Sequence, residues 1–154
     1  MGTILVVEDY DDVRQMLRIL LESEKFRVLE AATGFEALEV IKDQHPDVIL
    51  MDLALPGFDG IETIRRVRAV DGFQNTPIIV LTAYTGTSQY ETALRAGSNF
   101  FMAKPIDFDE LSALLTEILA DGNTRSSKYA RPPSRRAVLK PKPPPPSREL
   151  RWST

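Results

Sequence analysis

Five residues of this 154-residue chain are of types that could share one piece of chemistry: Glu8, Asp9, Asp52, Thr82 and Lys104. Each follows a short apolar run. Ile4-Leu5-Val6-Val7 leads into Glu8-Asp9, Val48-Ile49-Leu50-Met51 into Asp52, and Ile78-Ile79-Val80-Leu81 into Thr82; Asn99-Phe100-Phe101-Met102 ends one residue before Lys104-Pro105 is reached. If these runs are neighbouring strands, three carboxylates, a hydroxyl and an ammonium meet in one pocket. Three acids that close repel one another, and a hard divalent cation relieves the repulsion. Magnesium suits such a place, because it takes a few carboxylate oxygens and completes its octahedron with water and phosphate. A phosphoryl group on Asp52 would add negative charge and would need both the metal and Lys104. The chemistry implied is in-line transfer to a carboxylate nucleophile, with charge stabilised by metal, lysine and hydroxyl. The product is a mixed anhydride that water can later cleave, so the modification would carry its own timer. Asp52 closes a wholly apolar run, where an unpartnered carboxylate would be costly. Taken singly, Thr82 reads as a turn residue, Lys104 as a solvated cation and Phe101 as a core or interface aromatic. The shared pocket is what gives them weight.

The elements that must position these residues can be read from hydrophobic spacing. Near-continuous β-branched and apolar runs suit strands buried on both faces, as in a parallel sheet covered by helices. Arg27-Val28-Leu29-Glu30-Ala31 is more polar and belongs at an edge, and the run at Asn99–Met102 is the shortest. Between the runs, Val13, Leu17, Leu20 and Leu21 form one helical stripe. Asp11 or Asp12 could cap that helix. Thr33-Gly34-Phe35-Glu36 has the form of a capping box ahead of Ala37, Leu38 and Ile41. Ile61, Ile64 and Val67 follow the turn-like Pro56-Gly57-Phe58-Asp59-Gly60, where Asp59 serves the turn or caps the helix. A fourth, more polar helix spans about 88–96, with Gly97 as its stop signal. Asp107 can cap a fifth, whose core face is Leu111, Leu114, Leu115, Ile118 and Leu119. The pattern predicts an α/β fold, a flavodoxin-like (βα)5 three-layer sandwich. Its five-stranded parallel sheet has the order 2-1-3-4-5, which leaves the polar and short runs at the edges. In such sheets ligands bind beyond the C-terminal ends of the strands.

The whole constellation resembles the response-regulator receiver family of two-component signalling. The resemblance covers about residues 3–120. It rests on Leu5-Val6-Val7-Glu8-Asp9, Val48-Ile49-Leu50-Met51-Asp52, Leu55-Pro56-Gly57-Phe58-Asp59-Gly60, Pro77-Ile78-Ile79-Val80-Leu81-Thr82-Ala83, and Ala96-Gly97 leading into Lys104-Pro105. Any one of these would be weak; all in order are specific. The resemblance implies that Asp52 is the phosphoacceptor, that Asp9 ligates Mg2+ directly and that Glu8 does so through water. It implies that the backbone carbonyl of Ala54 is a further ligand. Lys104 would pair with phosphoryl oxygens, aimed by a cis bond to Pro105. Thr82 would turn inward to the phosphoryl group, and Phe101 would rotate inward as the switch aromatic. Ala54 and Tyr84 take the positions that tune phosphate lifetime. Neither is a carboxylate or amide that could position water, so loss of the group should be slow to moderate, with Tyr84 partly shielding the site. The implied partners are a histidine kinase or histidine phosphotransferase as donor. A downstream protein would be met on the face of the fourth helix, fifth strand and fifth helix by population shift. The expected state is a monomer or a phosphorylation-dependent dimer. The expected role is regulatory rather than enzymatic, in a stand-alone receiver.

Charge divides the chain in two. Residues 1–121 carry 10 Lys/Arg and 21 Asp/Glu, a net of −11, whereas residues 122–154 carry 9 and 1, a net of +8. The second segment also holds seven of the eleven prolines, including Pro143-Pro144-Pro145-Pro146. We expect a receiver domain over 1–121 and a disordered basic, proline-rich tail over 122–154. Such a tail could bind nucleic acid nonspecifically, though no helix-turn-helix pattern or DNA-binding domain accompanies it. Pro143 to Arg148 fits a P-x-x-P-x-R ligand pattern, a short match that arises often by chance. Absence of cysteine rules out a disulfide framework. The apolar runs are too short for a membrane span and no signal peptide is visible, so the expected location is cytoplasmic. His45, the single histidine, reads as a solvated loop residue. A Mg2+-dependent aspartyl-nucleophile phosphohydrolase would use similar acids. It would need a cap insertion and a second acid beside the nucleophile, and position 54 is alanine.

Overall fold

The computed structural model describes residues 2–83 and 87–120. Ten elements alternate: β1 (Thr3–Val7), α1 (Asp11–Ser23), β2 (Arg27–Ala31), α2 (Gly34–Asp43), β3 (Val48–Asp52), α3 (Gly60–Ala69), β4 (Ile78–Thr82), α4 (Thr87–Ala96), β5 (Phe100–Ala103) and α5 (Phe108–Ala120). All strands are parallel, in the order β2-β1-β3-β4-β5. Tyr84, expected to tune phosphate lifetime, and the segment 122–154, expected to be a disordered tail, lie outside the described residues. Among the described residues no helix is long and apolar enough to cross a membrane.

Strand side chains alternate between two faces, and the core divides accordingly. Leu5, Val7, Ile49, Met51, Ile78, Val80 and Phe101 pack with Ala37, Ile41, Ile64, Val67, Ala93 and Ala96 of α2, α3 and α4. Ile4, Val6, Val48, Leu50, Ile79, Leu81 and Met102 pack on the other side, with Leu17 and Leu21 of α1 and Leu111, Leu115 and Ile118 of α5. Both faces are therefore dry, which is why the inner strands read as unbroken apolar runs.

Helix starts follow their expected chemistry with one correction. The Thr33 hydroxyl accepts from the Glu36 amide at 3.1 Å, and Glu36 reaches back to the Ala32 amide at 2.8 Å. Asp59 caps α3 by accepting from the Glu62 amide at 2.9 Å, and Asp107 accepts from the Glu110 amide at 3.2 Å. The N-cap of α1 is instead Tyr10, which makes no side-chain cap bond. Asp11 and Asp12 fall inside the first turn, where their charge meets the positive end of the helix dipole. The fifth strand also starts one residue late. Asn99 stays outside it and uses its side-chain oxygen to accept from the Ile78 amide at 2.9 Å. Gly60 matters for the site: a Cβ there would collide with the Asp52 carbonyl and the Leu53 backbone. Only glycine lets the start of α3 seat against the end of β3. His45 is exposed, as expected, with its ring stacked on Phe73 at 5.8 Å between centroids.

Candidate functional site

The register decides which ends meet. Val7 of β1 pairs with Met51 of β3, Asp52 with Leu81 of β4, and Thr82 with Ala103 of β5. Glu8, Asp52, Thr82 and Lys104 thus emerge side by side at one edge of the sheet. The Lys104 amide donates to the Thr82 carbonyl at 2.8 Å, and the Lys104–Pro105 bond is cis.

Glu8 and Asp52 are almost sealed from solvent, at 1% and 2% exposure, and Thr82 is buried beside them. One oxygen from each of Glu8, Asp9 and Asp52 falls within 4.8 Å of the others. The Lys104 ammonium donates to Glu8 Oε2 at 2.8 Å and to Asp52 Oδ2 at 3.3 Å. The other Asp52 oxygen, Oδ1, accepts from the Ala54 amide at 3.1 Å. Glu8 Oε1 sits 3.4 Å from the Tyr10 amide. Asp9 Oδ1 is buried without a hydrogen-bond partner among the described residues. A buried carboxylate oxygen left bare is expensive, and three carboxylates clustered this closely are the donor set a hard cation takes.

Burial pushes the Glu8 carboxyl above its ordinary value of 4.5; the Lys104 hydrogen bond draws it back, and the charge of Asp52 pushes it up again. For Lys104, burial disfavours the ammonium, but the hydrogen bond to Glu8 and the charges of Asp52 and Glu8 outweigh it, raising its pKa above 10.5. The two directions agree physically. Glu8 has lost nearly all its water, so desolvation dominates it, while Lys104 keeps 21% of its side chain exposed.

The structure brings Glu8, Asp9, Asp52, Thr82 and Lys104 together and puts Ala54 at the exposed rim. Phe101, expected as the switch aromatic, lies in β5. Its ring is buried, packed edge-to-face on Tyr90 of α4 at 5.0 Å between centroids. Two residues escaped the sequence reading. Tyr90 stands one helical turn before Ala93 on the inner side of α4, a spacing that could have marked it. Arg14 donates to the backbone carbonyl of Glu8 at 2.8 Å; only its place one turn into the helix after Glu8-Asp9 hinted at this.

Comparison with known proteins follows the same line. The family model "Response regulator receiver domain" matches residues 4–116. Sporulation initiation phosphotransferase F of Bacillus subtilis is 33% identical over 108 residues, covering 70% of this chain and 86% of that protein. Transcriptional regulatory protein AfsQ1 of Streptomyces coelicolor is 35% identical over 130 residues, covering 84% of this chain. The match takes in only 56% of AfsQ1, so the chain spans about half the length of that relative. Among solved structures, the receiver domain of sensor histidine kinase PA1611 from Pseudomonas aeruginosa PAO1 superposes with a TM-score of 0.72. It is 35% identical, covers 77% of this chain and 98% of its own, and holds a magnesium ion in its active-site cleft. Sheet order, the acidic edge and a family match over most of its length agree: this chain belongs to the response regulator receiver family of two-component signalling.

Proposed function

We propose that Asp52 of this chain accepts a phosphoryl group, donated by a histidine kinase or a histidine phosphotransferase, and that the modification changes the surface around α4, β5 and α5. The observation that carries this reading is the Lys104 ammonium held between Glu8 and Asp52, beside a bare buried oxygen of Asp9. Asp9 and Asp52 would hold Mg2+ directly, with Glu8 acting through water and the Ala54 carbonyl as a further ligand. When bound, the cation neutralises charge on the phosphoryl oxygens.

The chain's own residues do the rest. The Asp52 carboxylate is the nucleophile; its Oδ1 accepts from the Ala54 amide and its Oδ2 from Lys104. Lys104 exchanges its bond to Asp52 for one to the incoming phosphoryl oxygens and keeps its bond to Glu8 as an anchor. The Thr82 hydroxyl, at the end of the neighbouring strand, donates to the same group. Tyr90 lies over Phe101, so the readout passes through the Phe101–Tyr90 contact and hence through α4, without the full rotation of a surface ring. Ala54 and Tyr84 set the lifetime, and neither supplies a carboxylate or amide that could position water. Residues 122–154 form a separate basic segment in this reading.

Incubation with a small-molecule phosphodonor and Mg2+, read by intact mass, tests the proposal. The full chain should gain one phosphoryl group and Asp52→Ala none. Equal labelling of the two proteins would contradict it.

A further inference from the structure

Arg14 lies one turn into α1, outside the cluster of groups that would meet the metal or the phosphate. Its guanidinium nevertheless reaches back to the strand end. Nη1 donates to the backbone carbonyl of Glu8 at 2.8 Å. Nη2 pairs with Asp11, and Nε faces Glu30 Oε1 at 3.5 Å. The second Glu30 oxygen accepts from Arg18 at 3.1 Å, and Arg18 is also bonded to Glu22 at 3.1 Å. The side chain of Arg14 is only 15% exposed, unlike that of Arg18 at 50%.

The two peptide groups flanking the Glu8 Cα are thereby each held by one bond. The Glu8 N–H donates to Ala31 of β2 at 3.0 Å, and its carbonyl accepts from Arg14 of α1. That carbonyl belongs to the peptide group leading into Asp9. Rotation of that plane would turn the Asp9 side chain, whose Oδ1 is the bare buried oxygen of the site. A guanidinium suits this task because its planar fork can hold a carbonyl and two carboxylates in fixed directions. Outer partners of this kind orient metal ligands without touching the metal.

We propose that Arg14, braced by Glu30, is a positioning residue that fixes the Glu8–Asp9 peptide and so sets the affinity of the acidic cluster for Mg2+. The inference rests on the proposed metal site and adds to it a residue from α1 and a residue from the edge strand.

The sign of the effect separates this role from simple electrostatics. A cation near a metal site repels the metal, so removing its charge alone would tighten Mg2+ binding. Losing the grip on Asp9 would loosen it, by about tenfold or more on the scale of other outer-shell partners. The experiment is calorimetric titration of the unphosphorylated full chain with Mg2+, using wild type, Arg14→Ala, Arg14→Lys and Glu30→Gln, with urea midpoints to establish that each variant is folded. Arg14→Ala should weaken Mg2+ binding about tenfold. Arg14→Lys keeps the charge without the fork and should still weaken it. Glu30→Gln, which loosens the brace, should weaken it by a smaller factor. Labelling of Arg14→Ala by a small-molecule phosphodonor should fall at limiting Mg2+ and recover toward wild type at saturating Mg2+. Unchanged or tighter Mg2+ binding in folded Arg14→Ala overturns the inference while leaving the metal site standing. A wild-type chain that binds no Mg2+ overturns the metal site itself, and Arg14's role with it.

Discussion

The structure half-buries two cations at opposite edges of the same sheet and satisfies them in opposite ways. Lys104, past the C-terminal end of β5, sits between the carboxylates of Glu8 and Asp52. Arg68, at the end of α3, sits near the N-terminal ends of β4 and β5 with neutral acceptors. Its Nη1 donates to the carbonyls of Phe73 and Thr76, both at 2.7 Å. Nε and Nη2 share the Gly97 carbonyl at 3.1 and 2.7 Å, and Nη2 also meets Asn99 Oδ1 at 2.8 Å. Burial lowers the Arg68 pKa to about 10, still far above neutrality, whereas the pKa of Lys104 is raised. Fixed carbonyl dipoles make a rivet: they join α3, the loop before β4, the end of α4 and the approach to β5. Opposing charges make a contact that, in the proposed function, a metal or a phosphoryl group rewires. The fold thus keeps its rigid polar network at the edge away from the chemistry, and its rearrangeable one at the site.

The largest expected effect is at the rivet. Arg68→Ala takes this donor from the carbonyls of Phe73, Thr76 and Gly97, while Asn99 Oδ1 keeps the Ile78 amide, and urea denaturation should show a loss of about 3 kcal/mol. Added Mg2+ should restore none of the component due to Arg68. Lys104→Met leaves two buried carboxylates facing each other. It should cost less, about 1–2 kcal/mol, because the lysine is partly solvated. Here the loss should shrink as Mg2+ is raised, since the cation replaces the missing charge. A Mg2+-insensitive Lys104→Met, or a Mg2+-rescued Arg68→Ala, would erase the distinction between the two edges.

A smaller effect comes from pH. Glu8 has a folded pKa raised above 4.5, so its contribution to stability is fully present below 4.5 and is lost as pH rises through the folded value. Urea midpoints of wild type and Glu8→Gln, measured without metal across that window, should therefore converge or cross toward acid, with wild type gaining relative to the variant. Parallel curves would mean that burial does not govern Glu8. Lys104 acts at the other end of the scale: its contribution is present below 10.5 and lost above its raised folded pKa.

Much of this was legible in the sequence, for a physical reason. Strands dry on both faces must be continuous apolar runs, so β1, β3 and β4 announced themselves, and the polar residues that interrupt them had to lie at their ends. Asp52 and Glu8-Asp9 were legible on the same ground. The long cations were not. Arg65, Arg66 and Arg68 look alike in the chain, yet the first two pair with Glu62 at the surface while Arg68 is drawn inward by carbonyls of three other segments. The reach of Arg14 to the Glu8 carbonyl escaped likewise, because a backbone acceptor leaves no trace in residue type. The capping assignment of Asp11 or Asp12 failed because the strand-to-helix turn is one residue shorter than a side-chain cap there requires, which makes Tyr10 the cap. The Phe101–Tyr90 contact joins β5 to α4, so the spacing that marks Tyr90 on the inner side of α4 does not by itself name its partner.

The central claim is that the Asp52 carboxylate is the group that takes phosphate. It is tested most directly by treating the full chain with a small-molecule phosphodonor and Mg2+, reducing with borohydride and sequencing peptides by mass spectrometry. Reduction converts an aspartyl phosphate to homoserine, and the account predicts homoserine at position 52 alone. Homoserine at Asp9 or elsewhere, or no reducible acyl phosphate at saturating donor and Mg2+, would contradict it.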